Sequence, residues 1–403
     1  KNFSCGIWLD SSSNNSITGN DITNNDCGIE LEYSTNNTIY GNNIANNYYG
    51  IWLGYSSNNS ISGNTFTNDG VTVSFSYQNS VENNTVNGKP LVYLEGVVNY
   101  SVGDAGQVIL VTCDSIRVEA LNLSETDGVQ LWQTTNSIIS GNTITANNNI
   151  GIYLYSSSNN SISGNNIANN NIGIWLGYSS NNSISGNNIA NNWRGIWLRY
   201  SSNNVIYHNN FVDNIQQVYI ATPGYANFWD DVYPSGGNYW SDYSGVDLYY
   251  GSNQNLPGSD DIGDTPYILD ADNRDRYPLM KLWSPWRDWT HYHDYTEIID
   301  TLLYLNNTYP NTVDVFSIGK SWQNQDIYCL RLTNESNTHP KPKVFFVGYH
   351  HAREPISAEL PLYFAVEAAT KFGTNETITQ MLNYSEIYIV PALNVDAFDV
   401  VKQ

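Results

Sequence analysis

The sequence has little positive charge. Lys and Arg together number 16 against 38 Asp and Glu, which gives a formal net charge of −22. Nucleic acids and anionic membrane surfaces attract patches of Lys and Arg, so this composition argues against proteins that bind either of them. Apolar runs are also short, since none reaches the roughly 18 residues that a membrane-spanning helix needs. The sequence therefore predicts no membrane span.

Cysteine is scarce too, whereas aromatic residues are abundant. The four cysteines, Cys5, Cys27, Cys113 and Cys329, do not have the spacing of a metal-ligand cluster. The 31 Tyr and 12 Trp are unlike the composition of a disordered acidic tail. Strong acidity, low Lys and many Asn-x-Ser/Thr sequences favour a secreted or cell-surface protein. Because the chain opens at Lys1 inside a repeat, we interpret it as part of a longer chain.

A repeat of about 22 residues fills the first half. Each period contains three short alternating segments separated by Asn, Gly and Ser, which predicts three strands with polar corners. Coils of this kind stack ~4.8 Å apart, so we predict a right-handed parallel β-helix. A leucine-rich repeat has a similar period, but its Leu-x-x-Leu-x-Leu signature is missing. The Gly-Ile-x-Leu segments begin at Gly6, Gly28, Gly50, Gly151, Gly173 and Gly195.

The pattern divides the chain into three predicted domains. Residues 1–226 form the β-helix, with irregular coils at about 85–127. Residues 227–285 form an aromatic, acidic cap and linker, and residues 286–403 form an α/β domain with a mixed sheet. Cys5 and Cys27 are 22 residues apart and are expected to stack on adjacent coils, either as a disulfide or as two buried thiols.

One outward position of the Gly-Ile-x-Leu strand is mostly aromatic. Exposed rings in a column can stack on the apolar faces of sugars, or they can pack against one another and stabilise the sheet. Both interpretations stay open. The repeat brings together no carboxylate pair for glycoside hydrolysis. The aromatic members of this column are Trp8, Trp52, Tyr153, Trp175 and Trp197.

The acidic segment offers a candidate calcium site. Asp260, Asp261 and Asp264 lie close together beside Gly263, and carboxylate oxygens suit Ca²⁺. The twelve-residue loop with its closing Glu is missing. The alternative is a solvated acidic loop that caps the β-helix.

The C-terminal part carries a candidate metal motif. Residues 344–347 predict a fully buried strand, and the loop after it contains His351 and Glu354. A helix is predicted at 355–372. Loops at the carboxyl ends of strands form the sites of α/β proteins, and an imidazole and a carboxylate are suitable zinc ligands.

Both parts resemble known families. The repeat resembles the NosD-like, carbohydrate-binding β-helices of microbial, often archaeal, surfaces through Asn-Asn-Ser-Ile-Ser-Gly-Asn and Gly-Ile-Trp-Leu. Residues 346–357 resemble the first zinc motif of the M14 metallocarboxypeptidases, and residues 394–396 resemble a later turn of that family. This resemblance implies that His351 and Glu354 are zinc ligands and that Arg353 binds substrate. It also implies that the third ligand and the catalytic Glu lie beyond Gln403.

We therefore expect a secreted or cell-surface zinc carboxypeptidase that acts on peptides or proteins and carries a β-helix for surface or glycan binding. With only two of the three zinc ligands, the chain itself is expected to bind zinc weakly and to lack peptidase activity. The alternative is a non-catalytic β-helix protein that binds surface carbohydrate or acts in adhesion.

Overall fold

The computed structural model describes residues 4–147, 149–284, 292–351 and 353–398. They belong to two compact units, residues 1–283 and 284–403. The boundary predicted at 285/286 falls outside the described residues. Among the described helices, none is long and apolar enough to cross a membrane.

The first unit begins with a parallel β-solenoid, as predicted, of about ten coils over residues 5–220. The strands of its first stack of coils are β1 (Cys5–Asp10), β2 (Ser16–Thr18), β3 (Asp21–Thr23), β4 (Cys27–Glu32), β5 (Thr38–Tyr40), β6 (Asn43–Ala45), β7 (Tyr49–Gly54), β8 (Ser60–Ser62), β9 (Thr65–Thr67), β10 (Val71–Ser74), β11 (Ser80–Glu82) and β12 (Thr85–Val86). Three parallel sheets run along this stack, in the orders β1-β4-β7-β10, β2-β5-β8-β11 and β3-β6-β9-β12.

A second stack of coils follows. Its strands are β13 (Lys89–Glu95), β14 (Val98–Val102), β15 (Gln107–Val111), β16 (Asp114–Glu119), β17 (Val129–Trp132), β18 (Ile138–Ser140), β19 (Thr143–Thr145), β20 (Ile150–Tyr155), β21 (Ser161–Ser163), β22 (Asn166–Ala168), β23 (Ile172–Gly177), β24 (Ser183–Ser185), β25 (Asn188–Ala190), β26 (Arg194–Arg199), β27 (Val205–Tyr207), β28 (Asn210–Val212) and β29 (Gln216–Ile220).

The two stacks meet at the irregular coils. Strand β12 pairs antiparallel with β13, so the chain reverses there instead of starting another regular coil. The edge of β10 is then bound by side chains of the second stack. Gln107 accepts a hydrogen bond from the Val71 N–H at 2.9 Å and donates one to the Val71 carbonyl at 2.7 Å. Gln130 accepts one from the Val73 N–H at 3.1 Å. We call this junction the elbow.

Inward side chains form apolar ladders. Ile29 and Leu31 pair in register with Ile51 and Leu53, and all four are fully buried. Each buried side chain of this size contributes about 1.5–3 kcal/mol. Gly28 precedes this pair because a Cβ there would lie 2.5 Å from the Gly50 carbonyl oxygen of the next coil.

The two-residue corners of the coils, which are Asn-Asn or Gly-Asn, use their two places differently. The first residue of a pair, such as Asn58, has a left-handed backbone with φ of 58°, a conformation that Asn tolerates. The second place of a corner, which holds Asn187 after the left-handed Gly186, is buried and bonds to the same position one coil away. Its side-chain oxygen accepts bonds from the backbone and side-chain N–H groups of Asn165, and its Nδ2 donates to the Ile162 carbonyl at 2.9 Å. The predicted polar corners are therefore present, and their asparagines hydrogen-bond from coil to coil.

Residues 227–283 lie in the first unit and extend its core. Their strands are β30 (Tyr239–Trp240), β31 (Tyr249–Tyr250), β32 (Leu256–Pro257), β33 (Tyr267–Ile268) and β34 (Arg274–Asp275). The buried Trp240 stacks on Phe211 of the last coils with ring centroids 4.3 Å apart, and Asn238 accepts a bond from the Asn209 N–H. The corner ladder therefore continues into this segment.

The second unit is a small α/β structure. Its elements are α1 (Tyr295–Thr308), β35 (Val313–Lys320), β36 (Asp326–Leu332), β37 (Lys343–Val347), α2 (Ile356–Lys371), α3 (Glu376–Tyr384), β38 (Glu386–Val390) and a 3₁₀ turn at Val395–Ala397. The sheet order is β35-β36-β38-β37, with β37 parallel to β38 and the other pairs antiparallel. The predicted mixed sheet is confirmed.

Removing one member of the corner ladder tests its contribution. We expect Asn187→Ala to lower the free energy of unfolding by about 2–5 kcal/mol, because it leaves a buried carbonyl and a buried N–H without partners, at about 1–3 kcal/mol each. Urea denaturation measures the change. The control is Asn188→Ala at the neighbouring outward position, with an expected loss below about 1 kcal/mol. Equal losses for the two variants would show that the ladder has no special role.

Candidate functional site

The predicted zinc motif lies in a loop at the carboxyl end of β37. Because β37 and β38 are parallel and Val347 pairs with Val390, the loops after both strands meet at one edge of the sheet. The Leu393 N–H donates to the Gly348 carbonyl at 3.1 Å, and the Asn394 N–H donates to the Tyr349 carbonyl at 3.0 Å. The loop therefore rests on the 391–394 segment.

The start of this loop is held tightly. A Cβ at Gly348 would lie 2.1 Å from the Ser357 carbonyl oxygen, so the backbones approach too closely for any other residue. Tyr349 is buried and stacks on Phe398 with ring centroids 4.0 Å apart. The Ser357 hydroxyl accepts a bond from the Tyr349 N–H and donates one to the Glu354 carbonyl.

The three predicted site residues of the loop are exposed. His351 and Glu354 belong to one turn, in which the Glu354 N–H donates to the His351 carbonyl at 3.0 Å, and Arg353 lies between them. Ala352 lies outside the described residues. Within the described part of the chain, His351 and Glu354 belong to no group of three His, Cys, Asp or Glu residues whose ligand atoms all lie within 4.8 Å of one another. An imidazole and a carboxylate fit zinc chemically, but they supply two of the three protein ligands of a catalytic site.

The prediction that residues 344–347 form a fully buried strand is wrong. Phe345 is 61% exposed, and Val344 and Phe346 are also exposed. The reason is the sheet order, which leaves β37 at an edge with β38 as its one strand neighbour in the described sheet; α2 reaches it through Phe364, whose ring centroid lies 5.5 Å from that of Phe346.

A buried pair that the sequence did not reveal lies beside this region. His293, just before α1, donates its backbone N–H to Glu359 of α2 at 2.7 Å, and its Nδ1 lies 2.8 Å from the other carboxylate oxygen. Both residues are buried. The pair joins the start of α1 to α2, and 66 positions separate its members, so no local pattern indicates it. His291, which also stands before this helix, lies outside the described residues.

The aromatic column on the first unit packs mainly against itself. Tyr153 stacks on Trp175 with ring centroids 4.6 Å apart, and Trp175 is only 9% exposed. Trp197 meets Trp175 edge-on at 6.3 Å. Trp52 is half-buried, whereas Trp8 is 59% exposed. The geometry favours the packing interpretation for the second stack and leaves one open ring face, at Trp8.

The candidate calcium residues accept hydrogen bonds from the protein. Asp264 accepts from the N–H groups of Leu248 and Tyr249, and Asp260 accepts from the Ile262 N–H at 3.2 Å. Asp261 forms an ion pair with Lys281 at 2.8 Å. The calcium site stays a prediction.

Two cysteines are brought together with a carboxylate. Cys5 and Cys27 pair in register on β1 and β4, and the Cys5 thiol donates to Glu30 at 2.7 Å. Both thiols are free. The sequence predicted that these two cysteines stack on adjacent coils, and the structure also brings Glu30 beside them, with the ligand atoms of all three residues within 4.8 Å of one another. Burial and the hydrogen bond to Glu30 raise the pKa of the Cys5 thiol to about 11.

The elbow contains two buried acids that sequence reasoning also missed. Asp69 accepts two bonds from Asn47, and Asp127 accepts a long one from Thr72 at 3.5 Å. The second oxygen of each carboxyl group is buried without a hydrogen-bond partner in the described structure. Burial raises the pKa of Asp69 to about 6, and burial together with the charge of Asp69 raises the pKa of Asp127 to about 8. Asp127 also lines a small cleft of about 120 Å³ together with Trp52 and other residues.

Sequence comparison assigns the first unit. The pattern described as "Periplasmic copper-binding protein (NosD)" matches residues 1–100 and 97–245, which is more than half of the chain. The chain belongs to the NosD family. The pattern described as zinc carboxypeptidase, Peptidase_M14, matches residues 298–403 after this NosD region. The C-terminal part is therefore homologous to M14 carboxypeptidases, as the motif indicated.

Individual relatives match this C-terminal part. A zinc carboxypeptidase of Saccharothrix mutabilis subsp. capreolus is 32% identical over 112 residues, which are 28% of this chain and 26% of that protein. Carboxypeptidase A6 of Mus musculus is 34% identical over 107 residues, 27% of this chain and 24% of that protein. The chain thus spans about a quarter of the length of these curated relatives.

Among solved structures, carboxypeptidase A from Helicoverpa armigera aligns with 26% identity and a TM-score of 0.26, over 28% of this chain and 27% of that one.

Because the acids at the elbow of the NosD region are buried, we expect the free energy of unfolding to fall as pH rises. Asp127 has a higher pKa in the folded protein than the ordinary 3.8, so its contribution is present below pH ~4 and is lost as pH rises to about 8. The loss for one such group is at most about 1.4 kcal/mol per pH unit. We expect Asp127→Asn to be stabilising at pH 8 and to remove a larger share of the slope between pH 7 and 8 than between pH 5 and 6, because the pKa values of Asp69 and Asp275, about 6 and about 7, make those groups contribute at lower pH. Denaturation at several pH values measures it.

The matched control for this experiment is Asp213→Asn on the exposed surface of the second stack. It is expected to keep the wild-type pH slope. If Asp127→Asn showed that same slope, the carboxyl group of Asp127 would not be the one that titrates upon unfolding.

Proposed function

We propose that this chain is part of a zinc-dependent carboxypeptidase that carries a NosD-family β-helix for attachment to a surface or its glycans. The proposal rests on one observation above all. His351 and Glu354 project from a single turn where the parallel strands β37 and β38 end, in the segment homologous to M14 carboxypeptidases. Among the described residues that turn is exposed, which suits a site that receives a peptide from solvent.

Each residue of the turn has a role in this proposal. The imidazole of His351 and the carboxylate of Glu354 would hold zinc, which supplies a Lewis acid for the scissile carbonyl and lowers the pKa of a bound water. The guanidinium of Arg353 points to the binding of a peptide oxygen, because it carries a fixed fork of donors. The anchored start of the loop at Gly348 and Tyr349 limits the positions that these side chains can take.

The exposed edge strand supports the idea that the catalytic domain is larger than this unit. Strand β37 presents exposed Val344, Phe345 and Phe346, and an apolar edge of this kind is a natural place for further strands to pair. The relatives are about four times as long as the matched segment. We propose that peptidase activity belongs to the longer protein, with the remaining ligand and the general base supplied there.

We also propose that the protein acts outside the cytoplasm. The family of its β-helix is described as periplasmic, and the strong negative charge and the polar coils suit such a setting. A peptide or protein is the proposed substrate. For glycan attachment, the exposed ring of Trp8 is the candidate contact, since the rings of the second stack already cover one another.

Mutation of the proposed ligand in the longest product of the reading frame tests the function. That product is expected to release C-terminal amino acids from peptides, and a chelator is expected to stop it. We expect His351→Ala to lower kcat/KM by more than about 100-fold, because loss of a ligand removes the metal. The control is His339→Ala, an exposed histidine of the same unit. Undiminished activity of His351→Ala would refute the proposal.

The 403-residue chain gives a second test. With two ligands in the turn, it is expected to show no peptidase activity and no tight zinc binding that depends on His351. Isothermal titration of the wild type and of His351→Ala measures this. Stoichiometric zinc lost in the variant would contradict the two-ligand description.

A further inference from the structure

On the outer face of the first coils, the residue types differ from those of the repeat at one place, around Glu30. In the aromatic column, register partners are Trp8, Glu30 and Trp52, so Glu30 puts a carboxylate where neighbouring coils have rings. Three positions earlier on the same strand is Cys27, which pairs with Cys5. The equivalent positions of the second stack hold Ile150, Ile172 and Arg194 instead. Two thiols and a carboxylate are thus combined on adjacent strands.

These three groups are close enough to share one ion. The ligand atoms of Cys5, Cys27 and Glu30 all lie within 4.8 Å of one another, and this is the one such trio in the described part of the chain. Cys27 is buried, while Cys5 and Glu30 are half-buried. An ion could therefore be held against the sheet and still be reached from one side.

The trio lines a cavity of about 550 Å³. Trp8, Tyr49 and Trp52 form its apolar walls, and the carboxylate of Asp26 stands at its edge. Low-dielectric walls strengthen the attraction between a cation and anionic ligands. The cavity also leaves room for a water molecule or another small ligand on the ion.

We propose that Cys5, Cys27 and Glu30 form a binding site for a thiophilic metal ion, with a fourth coordination position that opens into the cavity. Two sulfur ligands select ions such as Zn²⁺ or Cu⁺ over Ca²⁺ and Mg²⁺, which prefer oxygen. Three protein ligands and one open position are the arrangement of zinc sites that bind a further ligand. The site lies in the NosD region and is independent of the proposed peptidase loop.

A disulfide is the competing use of the same cysteines. Neighbouring strands ~4.8 Å apart place two paired residues within the Cα separation that a disulfide needs. Glu30 distinguishes the two uses, because a disulfide gains nothing from a carboxylate at the thiol, whereas a metal ion gains a third ligand.

Cadmium is the probe for the experiment, since thiolate-to-cadmium charge transfer gives an ultraviolet band that His and carboxylate ligands do not give. The reduced 403-residue chain is titrated with Cd²⁺, and we expect the band to saturate at one equivalent. Cys5→Ser and Cys27→Ser are expected to lose it. Glu30→Gln is expected to keep the band but to weaken binding at least about 10-fold. Competition with Zn²⁺ and with Cu⁺ in separate arms then identifies the preferred ion.

Matched controls separate the site from general effects. Glu32→Gln changes another carboxylate of β4, and Cys113→Ser removes a buried thiol elsewhere in the solenoid; both are expected to titrate like the wild type. Circular dichroism confirms that each variant is folded. A missing band in the folded wild type, or an intact band in Cys5→Ser and Cys27→Ser, would overturn the proposal. So would a Cys5–Cys27 disulfide that forms in air even with Zn²⁺ present.

Discussion

The structure depends on the need to satisfy buried polar groups at every corner of the solenoid. Each coil turns sharply, and its backbone N–H and carbonyl groups would lose hydrogen bonds inside the stack without a side chain to replace them. At many corners the Asn in the second place does this by bonding to the same position one coil away, as in Asn165, Asn187 and Asn209. These bonds fix the register between coils. Since the register is fixed, every position of the repeat becomes a column of stacked side chains.

In the first unit, buried ionisable groups occur where one residue of a stacked column differs from its neighbours. Most columns hold one residue type, such as the buried Ile ladder or the self-packed rings. At the ends of corner ladders, however, an acid replaces Asn: Asp69 follows Asn47, and Asp275 follows Asn238. Burial raises the pKa of Asp275 to about 7, as it does for the acids at the elbow. Glu30 and the two cysteines are a third departure, on the outside. The regular coils provide the scaffold, and the positions that differ from the repeat provide these ionisable groups.

The second unit organises its site by a different principle. Two parallel strands end side by side, and the loop after one is held by the segment after the other, so exposed side chains acquire defined positions without being buried themselves. The close approach at Gly348 and the stacked Tyr349 provide that constraint. The buried His293–Glu359 pair joins the helices on which the loop depends. Strand β37 lies at an edge of this sheet and has exposed apolar side chains.

The sequence by itself determined the repeat, the three strands of a coil, the polar corners, and the strand and helix on either side of the motif with His351 and Glu354. Those features rest on contacts that are local or recur at a constant interval, so periodicity and short motifs reveal them. The motif with His351 and Glu354 could be recognised in the sequence because its residues lie close together in the chain. Tertiary structure alone decided that β37 lies at an edge, that Asp69 and Asp127 influence each other at the elbow, and that His293 meets Glu359. It also decided that Glu30 lies beside Cys5 and Cys27. Some of these contacts join residues whose separation in the sequence matches no repeat. Others depend on the direction in which a side chain points within a stacked column. A sequence pattern reveals neither kind of contact.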